Sequence, residues 1–105
     1  MSAGERVAVD IVDVASQLRY EARTADGRVA GRVEYALEPG TDVIELIHTE
    51  VDPAFEGQGI GGQLARGVFD DVRARGRRAD VRCEFLQGWS ARHPEVSDLL
   101  VSADS

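Results

Sequence analysis

Lysine is absent from this chain of 105 residues, and all twelve of its basic side chains are arginine. A nucleoside-triphosphate loop uses a lysine on its phosphates, so that chemistry has no residue to carry it here. Cysteine is nearly absent as well. Cys83 stands alone, forms no internal disulfide and implies no oxidising compartment. With two scattered histidines it makes no zinc spacing, so no metal is expected. No apolar run approaches the roughly 20 residues that cross a bilayer. The start, Met1 to Arg6, has no signal-peptide core, so a cytoplasmic protein without a membrane partner is expected. Acids outnumber bases by 19 to 12, a formal net charge of −7. Such a surface repels nucleic acid and disfavours it as a partner.

What is present suits a single domain over residues 1–105, with 43% hydrophobic residues for one modest core. Residues 1–15 include the apolar-leaning Val7–Val12, either a first strand or a loose arm. Leu18, Tyr20 and Ala22 alternate with Arg19 and Glu21, a half-buried strand pattern. Asp26-Gly27 predicts a two-residue hairpin turn, because both positions tolerate positive φ. The return strand alternates through Val29, Gly31, Val33, Tyr35 and Leu37. After the Pro39-Gly40 turn, residues 43–51 form a central strand. Strict alternation places Ile44, Leu46, His48 and Glu50 on one face, and Val43, Ile47 and Val51 on the other.

The following segment changes period. Ile60, Leu64, Val68 and Val72, with Ala65 and Phe69 beside them, make one buried helical stripe that Gly76 is placed to end. Val81, Cys83 and Phe85 then alternate, so Asp80–Phe85 reads as a strand parallel to 43–51. A short helix from about Leu86 stops before Pro94, and Glu95–Val101 adds a turn or two. The fold class is α+β: a mixed, mostly antiparallel sheet with a βαβ unit in the C-terminal half. Five arginines between Arg73 and Arg82 are either a solvated helix end or an attractor for an anionic ligand.

Between central strand and helix lies Glu56-Gly57-Gln58-Gly59-Ile60-Gly61. A strand, a glycine-rich loop and a helix N-terminus aim several N–H groups one way, which suits phosphate. Glycines let an anion approach the main chain closely. The spacing is not the G-x-G-x-x-G of a dinucleotide fold. It is similar to the Gln/Arg-x-x-Gly-x-Gly/Ala signature of the GNAT superfamily. Leu46–Val51, Cys83-x-Phe85 and Arg92-His93-Pro94-Glu95 extend the likeness over about residues 18–100. Together they resemble the small, single-domain GNAT-like acetyltransferases, a minimal branch without the first helices. Glu56 departs from the usual Gln or Arg. The tyrosine that protonates the departing thiolate in many relatives is missing from the last helix, where Trp89 stands and cannot act as an acid.

The resemblance implies a minimal GNAT fold that holds acetyl-coenzyme A as cosubstrate. Its pyrophosphate would lie on residues 56–61, and an N–H near Val51 would polarise the thioester carbonyl. Arg66 either reaches the 3′-phosphate or is a solvated helix residue. Glu50 is the general-base candidate or a solvated strand end. His48 relays a proton or is structural. His93 organises the chain end or takes part in catalysis. Cys83 is a small buried residue, or an acetyl acceptor of the kind this branch typically carries. The expected activity is acetyl transfer to a small amine or a protein amine. The alternative is a coenzyme A-binding module with little catalysis.

Overall fold

Alternation in the first half of the chain becomes an antiparallel meander. The computed structural model describes residues 7–101. Four strands, β1 (Asp10–Val14), β2 (Arg19–Arg23), β3 (Val29–Leu37) and β4 (Val43–Val51), pair in that order, each antiparallel to the last. Helix α1 (Ile60–Ala74) then crosses over, and β5 (Arg78–Val81) joins β4 in parallel. A second helix, α2 (Glu84–Ala91), and the 3₁₀ segment Pro94–Leu99 follow. This is the expected α+β fold with a βαβ unit in its second half.

The stripe of α1 is buried as its spacing requires: Ile60, Leu64, Ala65, Val68, Phe69 and Val72 all face the core. They pack on the sheet face that carries Tyr20, Ala22, Val33, Tyr35, Ile44 and Leu46. Gly67 is a close approach, since a Cβ there would come within 2.4 Å of Ile11. The helix ends in a Schellman motif. Gly76 takes φ 67°, its amide bonds Arg73 O, and the Arg77 amide bonds Val72 O.

Several boundaries differ from the sequence expectation. Val7–Val12 does supply a first strand, but β1 starts at Asp10; residues 1–6 of the suggested arm lie outside the described residues. Leu18 is no strand residue. It ends a 3₁₀ turn with φ 54° and is 46% exposed. The hairpin loop has three residues, Ala25–Gly27, closed between Thr24 and Arg28, with Gly27 alone at positive φ. Asp80–Phe85 is not a strand throughout. The strand lies earlier, at Arg78–Val81, while Cys83 is the N-cap of α2 and Phe85 is in its first turn. Side chains spaced two apart matched both a strand and the entry to a helix.

No helix among the described residues is long and apolar enough to cross a membrane. None of their His, Cys, Asp and Glu side chains form a group of three that could hold a metal ion.

Candidate active site

One extra residue in β4 sets the geometry. Leu46 pairs with Tyr35 and His48 with Glu34, so Ile47 has no partner and forms a β-bulge. The bulge reverses the facing pattern beyond it. Thr49 sits opposite the buried Val33, and Val51 opposite Gly31. A Cβ on Gly31 would meet Ile60 and Leu64, so this is the α1 side. Thr49 and Val51 therefore share the core face with Ile44 and Leu46. His48 and Glu50 project from the opposite, uncovered face beside Glu34 and Arg32. Strict alternation had put them with Ile44 and Leu46, and the bulge corrects that.

The same strand loses its neighbour at this point. Pairing with β5 runs from Val43↔Arg78 to Leu46↔Val81 and ends there. The Leu46 carbonyl accepts both the Arg82 and Cys83 amides, at 2.8 and 3.2 Å, as the chain turns into α2. Residues 47–51 are left with an open edge. Asp52 donates its amide to Ala30 O, towards β3. Main-chain groups alternate along a strand, so the amides of Val51 and Thr49 point into the opening. Across it stands Cys83, whose thiol donates to Thr49 Oγ1 at 3.1 Å.

The glycine loop closes one end of this slot. Asp52 Oδ1 accepts the Ala54 amide and starts a 3₁₀ turn, Pro53–Phe55. Glu56 is extended and its side chain is exposed. Gly57 and Gly59 both take φ 79°, and Gly59 is the left-handed N-cap of α1. The amides of Gly57, Gln58, Gly59, Ile60 and Gly61 meet no acceptor among the described residues. A row of free amides running into a helix N-terminus fits an anion. Gly61 has another reason to be glycine: a Cβ there would stand 2.9 Å from the Phe85 ring. Its bareness thus serves the contact between the helices as well.

On the uncovered face Glu50 accepts from Arg32 at 3.2 Å and lies 3.3 Å from His48 Nε2. The His48 hydrogen bond, then the Arg32 charge, hold the Glu50 carboxyl below the usual range. A carboxylate so held is a weakened base and a firm orienter of the imidazole.

The remaining candidates are distributed elsewhere. Arg66 donates to Glu95 at 2.6 Å and its guanidinium lies 5.0 Å from the Trp89 ring centre, beside a groove of about 440 Å³ over α1. His93 stacks on Trp89 and its Nδ1 lies 2.7 Å from Trp89 O, so it organises the chain end. Of the arginine cluster, Arg73 pairs with Asp98 and Arg75 with Asp71 at the far end of α1, while Arg82, just after β5, is taken up by Asp80 and Glu45. Arg73 and Arg75 are roughly 20 Å of helix away from the loop. Tyr20 donates to Asp71 and Tyr35 to Asp13. Sequence reasoning missed Thr49, which only the bulge and the helix start at Cys83 bring into the slot. It also missed Gln63, whose amide holds Val7 O at 2.6 Å and the Val9 amide at 3.2 Å.

A splayed parallel strand pair beside a glycine loop on an α+β sheet defines a GNAT-like fold. The family model described as GCN5-related N-acetyl-transferase matches residues 19–99. The chain belongs to that family. It is 36% identical to Protein NATD1 of Bos taurus over 55 residues, 52% of this chain and 49% of that one. It thus spans about half the length of this curated relative. Protein NATD1 of Danio rerio is 27% identical over 94 residues, 82% of this chain and 86% of that protein. The NMR solution structure of a GCN5-like protein from Staphylococcus aureus matches the fold with a TM-score of 0.66 at 17% identity, covering 90% of both chains.

Proposed function

We propose that this protein transfers acetyl from acetyl-coenzyme A to an amine of a small molecule or a protein. One observation carries the reading: the open edge of β4 and the free amides of the glycine loop border the same slot. A thioester with a pyrophosphate on its arm fits both. The amides of Gly57–Gly61 would cradle the pyrophosphate, and Arg66 would turn from Glu95 to the 3′-phosphate. The Val51 amide would polarise the carbonyl. From the uncovered face His48, oriented by Glu50, takes the proton of the attacking amine. Such a reaction belongs where acetyl-coenzyme A is made and used, which in the cell includes the cytoplasm.

The test is release of free thiol from acetyl-coenzyme A with a panel of diamines, amino-acid amides and peptides. Amine-dependent release that falls in His48→Ala supports the reading. Binding without release on every amine leaves the coenzyme A-binding module, which the lack of a tyrosine in α2 favours. A second route is favoured by Cys83 at the slot wall: attack of its thiolate, an acetyl-enzyme, then transfer. Mass spectrometry after acetyl-coenzyme A alone would find one turnover-competent acetyl group on Cys83.

A further inference from the structure

Cys83 gives its thiol proton to Thr49 Oγ1. A threonine hydroxyl has two lone pairs and one proton of its own. With a lone pair taken by the thiol, that proton is left to donate, and no acceptor among the described residues receives it. Thr49 stands where β4 has no β5 neighbour, so the free donor lies at the edge of the slot. Behind it is a thiol, a stronger acid by type than any alcohol. Neither tyrosine can serve instead, because Tyr20 and Tyr35 are committed to Asp71 and Asp13.

We propose that Thr49 and Cys83 form a proton relay that quenches the departing coenzyme A thiolate; this rests on the acetyl-transfer reading above. The acceptor nitrogen bonds to the carbonyl carbon, the carbon–sulfur bond breaks, and its electron pair stays on the coenzyme sulfur. Thr49 gives that sulfur its hydroxyl proton and takes the Cys83 thiol proton in return. Cys83 is left as thiolate, and His48 holds the proton of the amine. Water returns a proton to the first and removes one from the second, so the cycle closes. The exchanging sulfurs are both alkyl thiols, so the transfer is near balance, whereas threonine alone is too weak an acid to supply the proton.

Thr49→Val keeps the shape and β-branch without the proton, and Thr49→Ser keeps the hydroxyl. With acetyl-coenzyme A, kcat should fall about a hundredfold in Thr49→Val and in Cys83→Ala, the scale of general acid catalysis. Thr49→Ser should restore most of the rate. The decisive comparison uses the acetyl ester of an aryl thiol, whose thiolate leaves without a proton. There the deficit of both variants should shrink to a few-fold. An equal loss on both thioesters, undiminished activity in Thr49→Val, or a turnover-competent acetyl group on Cys83 overturns the relay alone. A wild-type protein that acetylates no amine overturns the reading beneath it, and the relay with it.

Discussion

Gly61 shows how one missing side chain can be required for a reason other than the ligand. Its Cα is covered by the Phe85 ring, while Gly62 next to it has nothing within 4 Å. Valine at 61 overpacks the start of α1 against α2 and is expected to cost about 1–3 kcal/mol. Thermal unfolding should reveal this loss without any ligand. Gly61→Val combined with Phe85→Ala should lose less than the two single changes summed, because the ring is what the new carbon meets. Glu56 is the opposite case, an exposed carboxylate beside the free amides. Glu56→Gln should tighten coenzyme A binding several-fold at low salt, and the gain should fade as salt screens the charge. Weaker binding in that variant would mean the carboxylate orders the loop.

The elements were legible to the extent that their spacing was unambiguous. The stripe of α1 could belong to nothing but a helix, and Gly76 ended it as expected. Alternation in β2 and β3 was equally clear. The site was harder, because two irregularities built it. A bulge at Ile47 carries no residue type that announces it, yet it moves His48 and Glu50 to the other face. The entry to α2 at Cys83 and Phe85 reads as strand until the helix is seen. The start of the described chain is tied down by a side chain no pattern marks. Gln63 bonds the main chain of Val7 and Val9 from both ends of its amide, and Val7 also donates to Gln58 O in the glycine loop. Gln63→Ala forfeits these two bonds to Val7 and Val9, about 1–2 kcal/mol together, and a long third one to Gly59 O. Amide exchange should speed up at Val9 in that variant while the core of β3 stays protected.

Taken together, the sheet has one face under α1 and one face that is a lattice of ion pairs. Glu21, 4% exposed, lies between Arg19 and Arg23 at 2.6 and 2.8 Å. Arg32 bridges Glu34 and Glu50, and Arg82 bridges Asp80 and Glu45. Such a face can meet water without a covering layer. The hydrogen bond from Arg23, and then Arg19, holds the Glu21 carboxyl below its ordinary value. A carboxyl depressed in the folded state stabilises the fold above its unfolded pKa of about 4.3 and loses that contribution as pH falls through its folded value. The melting temperature should therefore stay level from neutral pH to about 5 and drop below about 4.3. Glu21→Gln should lower it at neutral pH and flatten the acid slope. At the alkaline side burial pushes the Tyr35 phenol up to about 12. Its contribution is present below the unfolded tyrosine pKa of about 10 and is lost as pH rises through the folded value.

The central claim is that the glycine loop and the open edge of β4 form one site for acetyl-coenzyme A. Backbone amide resonances followed during a titration with coenzyme A test it most directly. Gly57, Gln58, Gly59, Ile60 and Gly61 should shift together with Thr49 and Val51, with one dissociation constant for all. Amides at the paired end of the molecule, such as Tyr20 and Asp71, should hold still. Shifts confined to other surfaces, or a loop and strand edge that do not respond at saturating coenzyme A, would contradict the account.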